Sequence, residues 1–216
     1  MSNINFKPWV GKDYLTKGYQ GRRILVLGES HYCQKELTEG GRCYPICQKD
    51  KMNGACINQT HDVIHEAVYD YGGQPYLRCF ISFERAVAGK VLTQEERENF
   101  WESVMFYNYI QYALPAPRTS PNPEHWGNSE KAFVELLEKH SPDKIIVWGV
   151  RLYNGLPDLG GHGSKLKITN ADTADVWHFT IGGKEIPALK IHHPSCPTGK
   201  NWDYWHAVIS KFLEQQ

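Results

Sequence analysis

The chain has 216 residues, 41% hydrophobic and 22% charged, which suits one globular domain and excludes a disordered, collagen-like or coiled-coil protein. Lys plus Arg and Asp plus Glu number 24 each, so the net charge is zero with neutral histidines. No global attraction to nucleic acid or an anionic membrane follows from such a balance, only a local patch.

No repeat, low-complexity segment or long Ser/Gly/Pro linker divides the chain, so residues 1–216 are read as one domain. Residues 23–27, with Ile24, Leu25, Val26 and Leu27 ahead of Gly28, read as a buried strand. A cysteine-rich insert follows at about residues 33–56. Thr60 is placed to cap a helix over residues 61–70, with Val63, Ile64, Ala67 and Val68 on one stripe. Thr93 is placed to cap another, through Gln94 to Trp101. Residues 104–107 read as a second buried strand. The proline-rich stretch 115–126 reads as a stiff strap packed by Trp126, and Ser129 opens an amphipathic helix in which Phe133, Leu136 and Leu137 share a face. Residues 144–149 form a third strand. Residues 160–165 are glycine-rich but lack the Gly-Lys-Ser/Thr order of a phosphate loop, and read as a flexible loop. Residues 177–181 and 186–191 flank Gly182 and Gly183 and read as a hairpin. The last helix runs from about Trp202 to Leu213.

Strands alternating with helices imply right-handed crossovers. The expected fold class is α/β, a three-layer α/β/α sandwich around a short, mostly parallel central sheet. Ligands of such sheets bind at the carboxyl ends of the strands. Polar residues collect there in this chain: residues 28–32 after the first strand, Asn108 after the second, and residues 192–195 after the hairpin.

The run from Ile24 through Gly28, Glu29, Ser30, His31 and Tyr32 resembles the first motif of the uracil-DNA glycosylase superfamily. In that family a strand ends in glycine, and the next loop carries a water-activating or leaving-group-stabilising residue. Residues 104–108 resemble the strand that ends in the family's base-reading asparagine, here Asn108. His193, Pro194 and Ser195 match the start of its second catalytic motif. Residues 83–89 are similar to the stretch between these motifs, where the family places an aromatic that stacks on the base, here Phe83.

This resemblance covers most of residues 20–215 and implies a DNA base-excision glycosylase that hydrolyses the N-glycosidic bond of uracil or another modified or deaminated base. DNA or another nucleobase-containing ligand is the implied partner, and no cofactor is required for catalysis. His193 would stabilise the departing base, and Glu29 or Ser30 would place water. Asn108 would read the base edge and Phe83 would stack on it; Gly28, His31, Tyr32 and Ser195 would complete the substrate site. Three features depart from the family pattern. Ser30 stands where the best-known branch has aspartate, His31 replaces the loop proline and presents an imidazole, and no apolar wedge follows Ser195. A second reading is therefore a non-catalytic or repurposed nucleotide- or base-binding module of the same fold. A third is a metal-dependent hydrolase that uses the insert with His31.

Cys33, Cys43, Cys47 and Cys56 lie in the polar, irregular insert. Four thiolates on one tetrahedral zinc would hold such a stretch, with His61 and His65 as spare ligands. The alternatives are an iron–sulfur cluster or no metal, and disulfides if the protein is exported. No run approaches the roughly 20 apolar residues of a membrane span. The N-terminus also lacks the order of a signal peptide, so a cytoplasmic protein with reduced or metal-bound thiols is expected.

Overall fold

The computed structural model describes residues 2–32, 56–116, 118–196 and 201–215. Cys33, Cys43 and Cys47 lie outside the described residues, and Cys56 opens a 3₁₀ turn over Cys56–Asn58. The strands, in chain order, are β1 (Trp9–Val10), β2 (Ile24–Gly28), β3 (His31–Tyr32), β4 (Met105–Asn108), β5 (Ala113–Leu114), β6 (Lys144–Trp148), β7 (His162–Lys167), β8 (Thr173–Ile181) and β9 (Lys184–Ile191). The helices are α1 (Gln59–Val68), α2 (Arg78–Ala88), α3 (Gln94–Ser103), α4 (Pro123–His140), α5 (Val150–Gly155) and α6 (Trp202–Glu214).

Seven strands form one sheet in the order β1-β4-β2-β6-β9-β8-β7, and β3 pairs with β5 in a separate short ladder. The four inner strands β4, β2, β6 and β9 are parallel. β1 at one edge and β8 and β7 at the other run antiparallel to their neighbours. The expected short, mostly parallel sheet is thus corrected to a seven-stranded mixed one, because the hairpin extends the sheet instead of ending it.

β2, β4 and β6 are buried along their whole length, which their continuous apolar runs require when both faces of a sheet are covered. Ile24 and Val26 pack with Ile64 of α1, Phe83 of α2, Trp101 of α3 and Ile209 of α6. Leu25 and Leu27 point the other way, into a second core with Phe133 and Leu136 of α4 and Leu152 of α5. Each such side chain contributes roughly 1.5–3 kcal/mol on leaving water. Within the first core Glu84 accepts from Arg97 Nε at 2.9 Å and from Trp101 Nε1 at 2.8 Å, so the one buried carboxylate of α2 is satisfied.

Local chemistry accounts for several boundaries. Thr93 and Glu96 form a reciprocal capping box that starts α3. Gly182 and Gly183 have φ of +56° and +79°, the two left-handed positions that a tight hairpin between β8 and β9 requires. Other boundaries differ from expectation. Thr60 lies inside α1 and binds His31, and Asn58 occupies the cap position. α4 starts at Pro123, where Asn122 accepts from the His125 amide at 2.8 Å; Ser129 is buried mid-helix and donates to the His125 carbonyl. The expected loop at 160–165 contributes most of β7, whose only buried side chain is Leu166.

Candidate functional site

The carboxyl ends of β4, β2, β6 and β9 lie along one edge of the sheet. The chain leaves β2 toward β4 and leaves β6 toward β9, so the strand order reverses between β2 and β6, the kind of switch point at which such sheets bind ligands in a crevice. Gly28 sits opposite Asn108 in the parallel register. A Cβ at position 28 would come within 2.1 Å of Asn108 Oδ1, so glycine is what allows the amide to lie across the strand end. The two strand exits stay joined, with Tyr109 N–H donating to the Gly28 carbonyl at 2.9 Å and Ile110 N–H to the Glu29 carbonyl at 2.8 Å.

Behind this edge lies a buried polar cluster. His31 is 4% exposed and packs against the Phe6 ring at 4.6 Å. Its Nε2 is 2.8 Å from Thr60 Oγ1, and Asn108 Nδ2 lies 3.2 Å from both ring nitrogens. Burial pushes the His31 pKa down to about 3, so the ring is neutral at physiological pH. The expectation that His31 presents an imidazole to a substrate is corrected: the ring is turned inward, onto Asn108 and Thr60. Asn108 stands at the strand end as expected, but its side chain is also buried and engaged by His31.

The outer part of the crevice is charged. Arg151, in the first turn after β6, donates from Nε to Glu29 Oε2 at 2.8 Å, makes a second bond from Nη2 to Glu29 Oε1, and reaches Ser120 Oγ at 2.7 Å. The hydrogen bond to the Glu29 carboxylate raises the Arg151 pKa. A two-pronged contact of this kind fixes the carboxylate plane as well as its charge. Ser30 Oγ is shut off from solvent and has no hydrogen-bond partner among the described residues. The Tyr32 carbonyl accepts from Gln59 Nε2 at 2.7 Å, which ties the loop to the start of α1.

His193 follows β9. The Ser195 amide donates to its Nδ1 at 3.2 Å, and Ser195 Oγ lies 2.7 Å from the same nitrogen. An amide N–H can only donate, so Nδ1 is the acceptor and the proton of the neutral ring sits on Nε2. The ring meets Trp148 edge-on at 5.9 Å. Desolvation lowers its pKa, Glu29 opposes that shift and Arg151 adds to it.

No protein-family model and no curated protein sequence matches the chain.

The structure brings together Gly28, Glu29, Ser30, His31 and Asn108 at the β2 and β4 ends, and places His193 and Ser195 at the end of β9. Phe83 is corrected. It is fully buried, packed by Trp148 at 4.9 Å and by Phe100 and Trp101, and so belongs to the core, although it is also among the residues behind the cavity beside His193. Arg151 was not read from the sequence, yet it carries the same signal as Glu29: a charged residue just past a buried strand that ends in glycine. Of the spare metal ligands, His61 Nε2 lies 2.9 Å from the Pro8 carbonyl and His65 Nδ1 pairs with Asp70 at 3.0 Å.

His162, His178 and Glu185 form another donor group, on β7, β8 and β9. The two imidazoles stack at 4.7 Å with planes 5° apart. His178 bonds Glu185 through Nδ1 and Ser164 through Nε2. A metal must lie near the plane of each ring that binds it, so the rings as stacked do not aim at one ion.

Proposed function

We propose that the crevice takes a nucleobase-containing ligand and hydrolyses its N-glycosidic bond, in a fold of the uracil-DNA glycosylase type. The observation that carries this reading is the state of His193: a neutral imidazole whose Nδ1 is occupied by Ser195, leaving Nε2–H as a donor beside the Glu29–Arg151 pair. The order of the four inner parallel strands, with the motif residues at their carboxyl ends, supports the fold assignment.

In the proposed reaction the bond between C1′ and the base nitrogen breaks with both electrons leaving on the base, and water adds to C1′. His193 Nε2–H donates to the anion that develops on the base, an interaction stronger in the transition state than before it. Glu29, held in place by Arg151, balances the positive charge on the sugar and takes the proton of the incoming water. Ser30 Oγ, without a partner among the described residues, is the hydroxyl nearest in sequence to that carboxylate and would orient the water after turning out of its shielded position. Asn108 reads the base edge by exchanging its contact with His31 for one with the ligand. None of these roles calls on a metal, and a zinc held by Cys33, Cys43, Cys47 and Cys56 would be structural.

Base release from oligonucleotides carrying uracil, hypoxanthine, xanthine or hydroxymethyluracil tests the reading. Activity is expected to disappear in His193→Ala while the thermal midpoint hardly moves; Asn108→Ala is expected to lose activity and also to lower the midpoint, because it strips the buried His31 ring of a partner.

A second reading is a base- or nucleotide-binding module without catalysis. It is favoured by the fact that Glu29 and Asn108 already have partners within the protein. Tight ligand binding with no base released from any substrate is its signature.

A further inference from the structure

A cavity of about 180 Å³ opens beside His193, between α2, the end of β9 and the start of α6. Ser82, Arg85, His192, His193, Trp202 and Trp205 are among its walls. The Arg85 guanidinium lies 4.5 Å over the Trp202 ring, so an aromatic face fixes the position of the cation. Arg85 Nε is shut off from solvent and has no hydrogen-bond partner among the described residues. Glu84, the carboxylate next to it on α2, is committed to Arg97 and Trp101. Nδ1 of His192 is likewise buried without a partner among the described residues, and its ring packs on Trp205 at 5.2 Å.

A buried nitrogen without a partner is an unfavourable arrangement, and a cation without a counter-ion more so. A negatively charged group with several acceptor oxygens is what would satisfy the Arg85 guanidinium. The planar, permanently charged fork of an arginine suits phosphate better than a point charge does. Trp202 and Trp205 add apolar surface to the same wall.

We propose that this cavity is a phosphate subsite, continuous through His193 with the strand-end crevice, and that Arg85 is its anchoring cation. The assignment of the phosphate to the same ligand as the base rests on the reading given under Proposed function; the anion site itself does not. Two sources share this chemistry, the terminal phosphate of a free nucleotide and the diester of a polynucleotide.

The test combines ³¹P line broadening of inorganic phosphate with equilibrium titrations of deoxyuridine, its 5′-monophosphate, and a single-stranded uracil oligonucleotide lacking terminal phosphates. Wild type is expected to broaden the phosphate line and to bind the monophosphate at least about tenfold more tightly than the nucleoside. Arg85→Gln is expected to lose both effects with an unchanged circular dichroism spectrum. Arg85→Lys, which keeps the charge but not the fork, is expected to retain part of each. A gain over the nucleoside shown only by the monophosphate assigns the site to free nucleotides. An equal or larger gain with the oligonucleotide, lost in Arg85→Gln, assigns it to a diester. Phosphate binding that depends on Arg85 without any binding of deoxyuridine leaves the subsite standing and counts against a uracil-reading crevice. No phosphate binding by wild type, or binding that survives in Arg85→Gln, overturns the proposal.

Discussion

Desolvation, opposed by Glu29 and aided by Arg151, lowers the pKa of His193, and that shift can be read directly. An NMR titration of the ring is expected to give a midpoint below 6.5, its ordinary value. Arg151→Gln should move it upward, because the substitution removes a nearby positive charge and releases the Glu29 carboxylate. A midpoint at or above 6.5 in wild type, or no movement in the variant, would contradict the electrostatic account of the site. His31 makes a separate prediction about stability. Its folded pKa of about 3 lies below the unfolded value near 6.5, so between these limits the unfolded chain binds a proton that the folded chain does not. The contribution of neutral His31 is therefore complete above about pH 6.5 and is lost as pH falls toward 3, by up to about 1.4 kcal/mol per pH unit. Denaturant titrations from about pH 6 to 4.5 should show a shallower fall in stability for His31→Asn than for wild type. Parallel curves would mean that the ring is not held neutral by the fold.

At the scale of elements, the junction of β2 and β4 is the tightest constraint on the site. Gly28→Ala puts a methyl group 2.1 Å from Asn108 Oδ1, so either the amide or the strand end must move. The expected cost is about 1–3 kcal/mol in a denaturant titration, with loss of the base contact proposed for Asn108. Wild-type stability and function in Gly28→Ala would show that the two strand ends are not so closely coupled.

How legible each element was follows from what specifies it. β2, β4 and β6 could be read because strands covered on both faces are continuously apolar, and α3 because its capping box is local. The two-residue strands β1, β3 and β5 carry no periodic signal, since their pairing is dictated by distant partners such as Phe106 opposite Trp9. β7 was obscured because all but one of its side chains are exposed, which leaves no apolar alternation to detect. In α2, Phe80, Phe83 and Val87 recur at helical spacing, and that pattern marks Phe83 as core. Reading it through the family motif alone assigned it to stacking. His31 misled for a different reason: its burial depends on Thr60 and Phe6, which are far from it in sequence.

For the molecule as a whole, the mixed sheet and its helices bring residues 28–31, Asn108, Arg151 and residues 193–195 to the carboxyl edge of four parallel strands. With zero net charge there is no field over the surface to draw in the proposed ligand, so its capture would fall to local groups, Arg151 and Arg85. The sequence pointed to the edge through the rule that polar residues follow apolar strands. It did not show the ion pair across the crevice, because Glu29 and Arg151 are 122 positions apart and only the strand order makes them neighbours.

The claim that this edge cleaves an N-glycosidic bond is tested most directly by chromatographic detection of free base. Folded wild type and His193→Ala would be incubated in parallel with nucleotides and oligonucleotides carrying uracil and other deaminated or modified bases. Time-dependent release of one base by wild type, reduced by at least about a hundredfold in His193→Ala, is the predicted result. Release that is unchanged in the variant, or no release of any base by wild-type protein that binds the ligand, would contradict it.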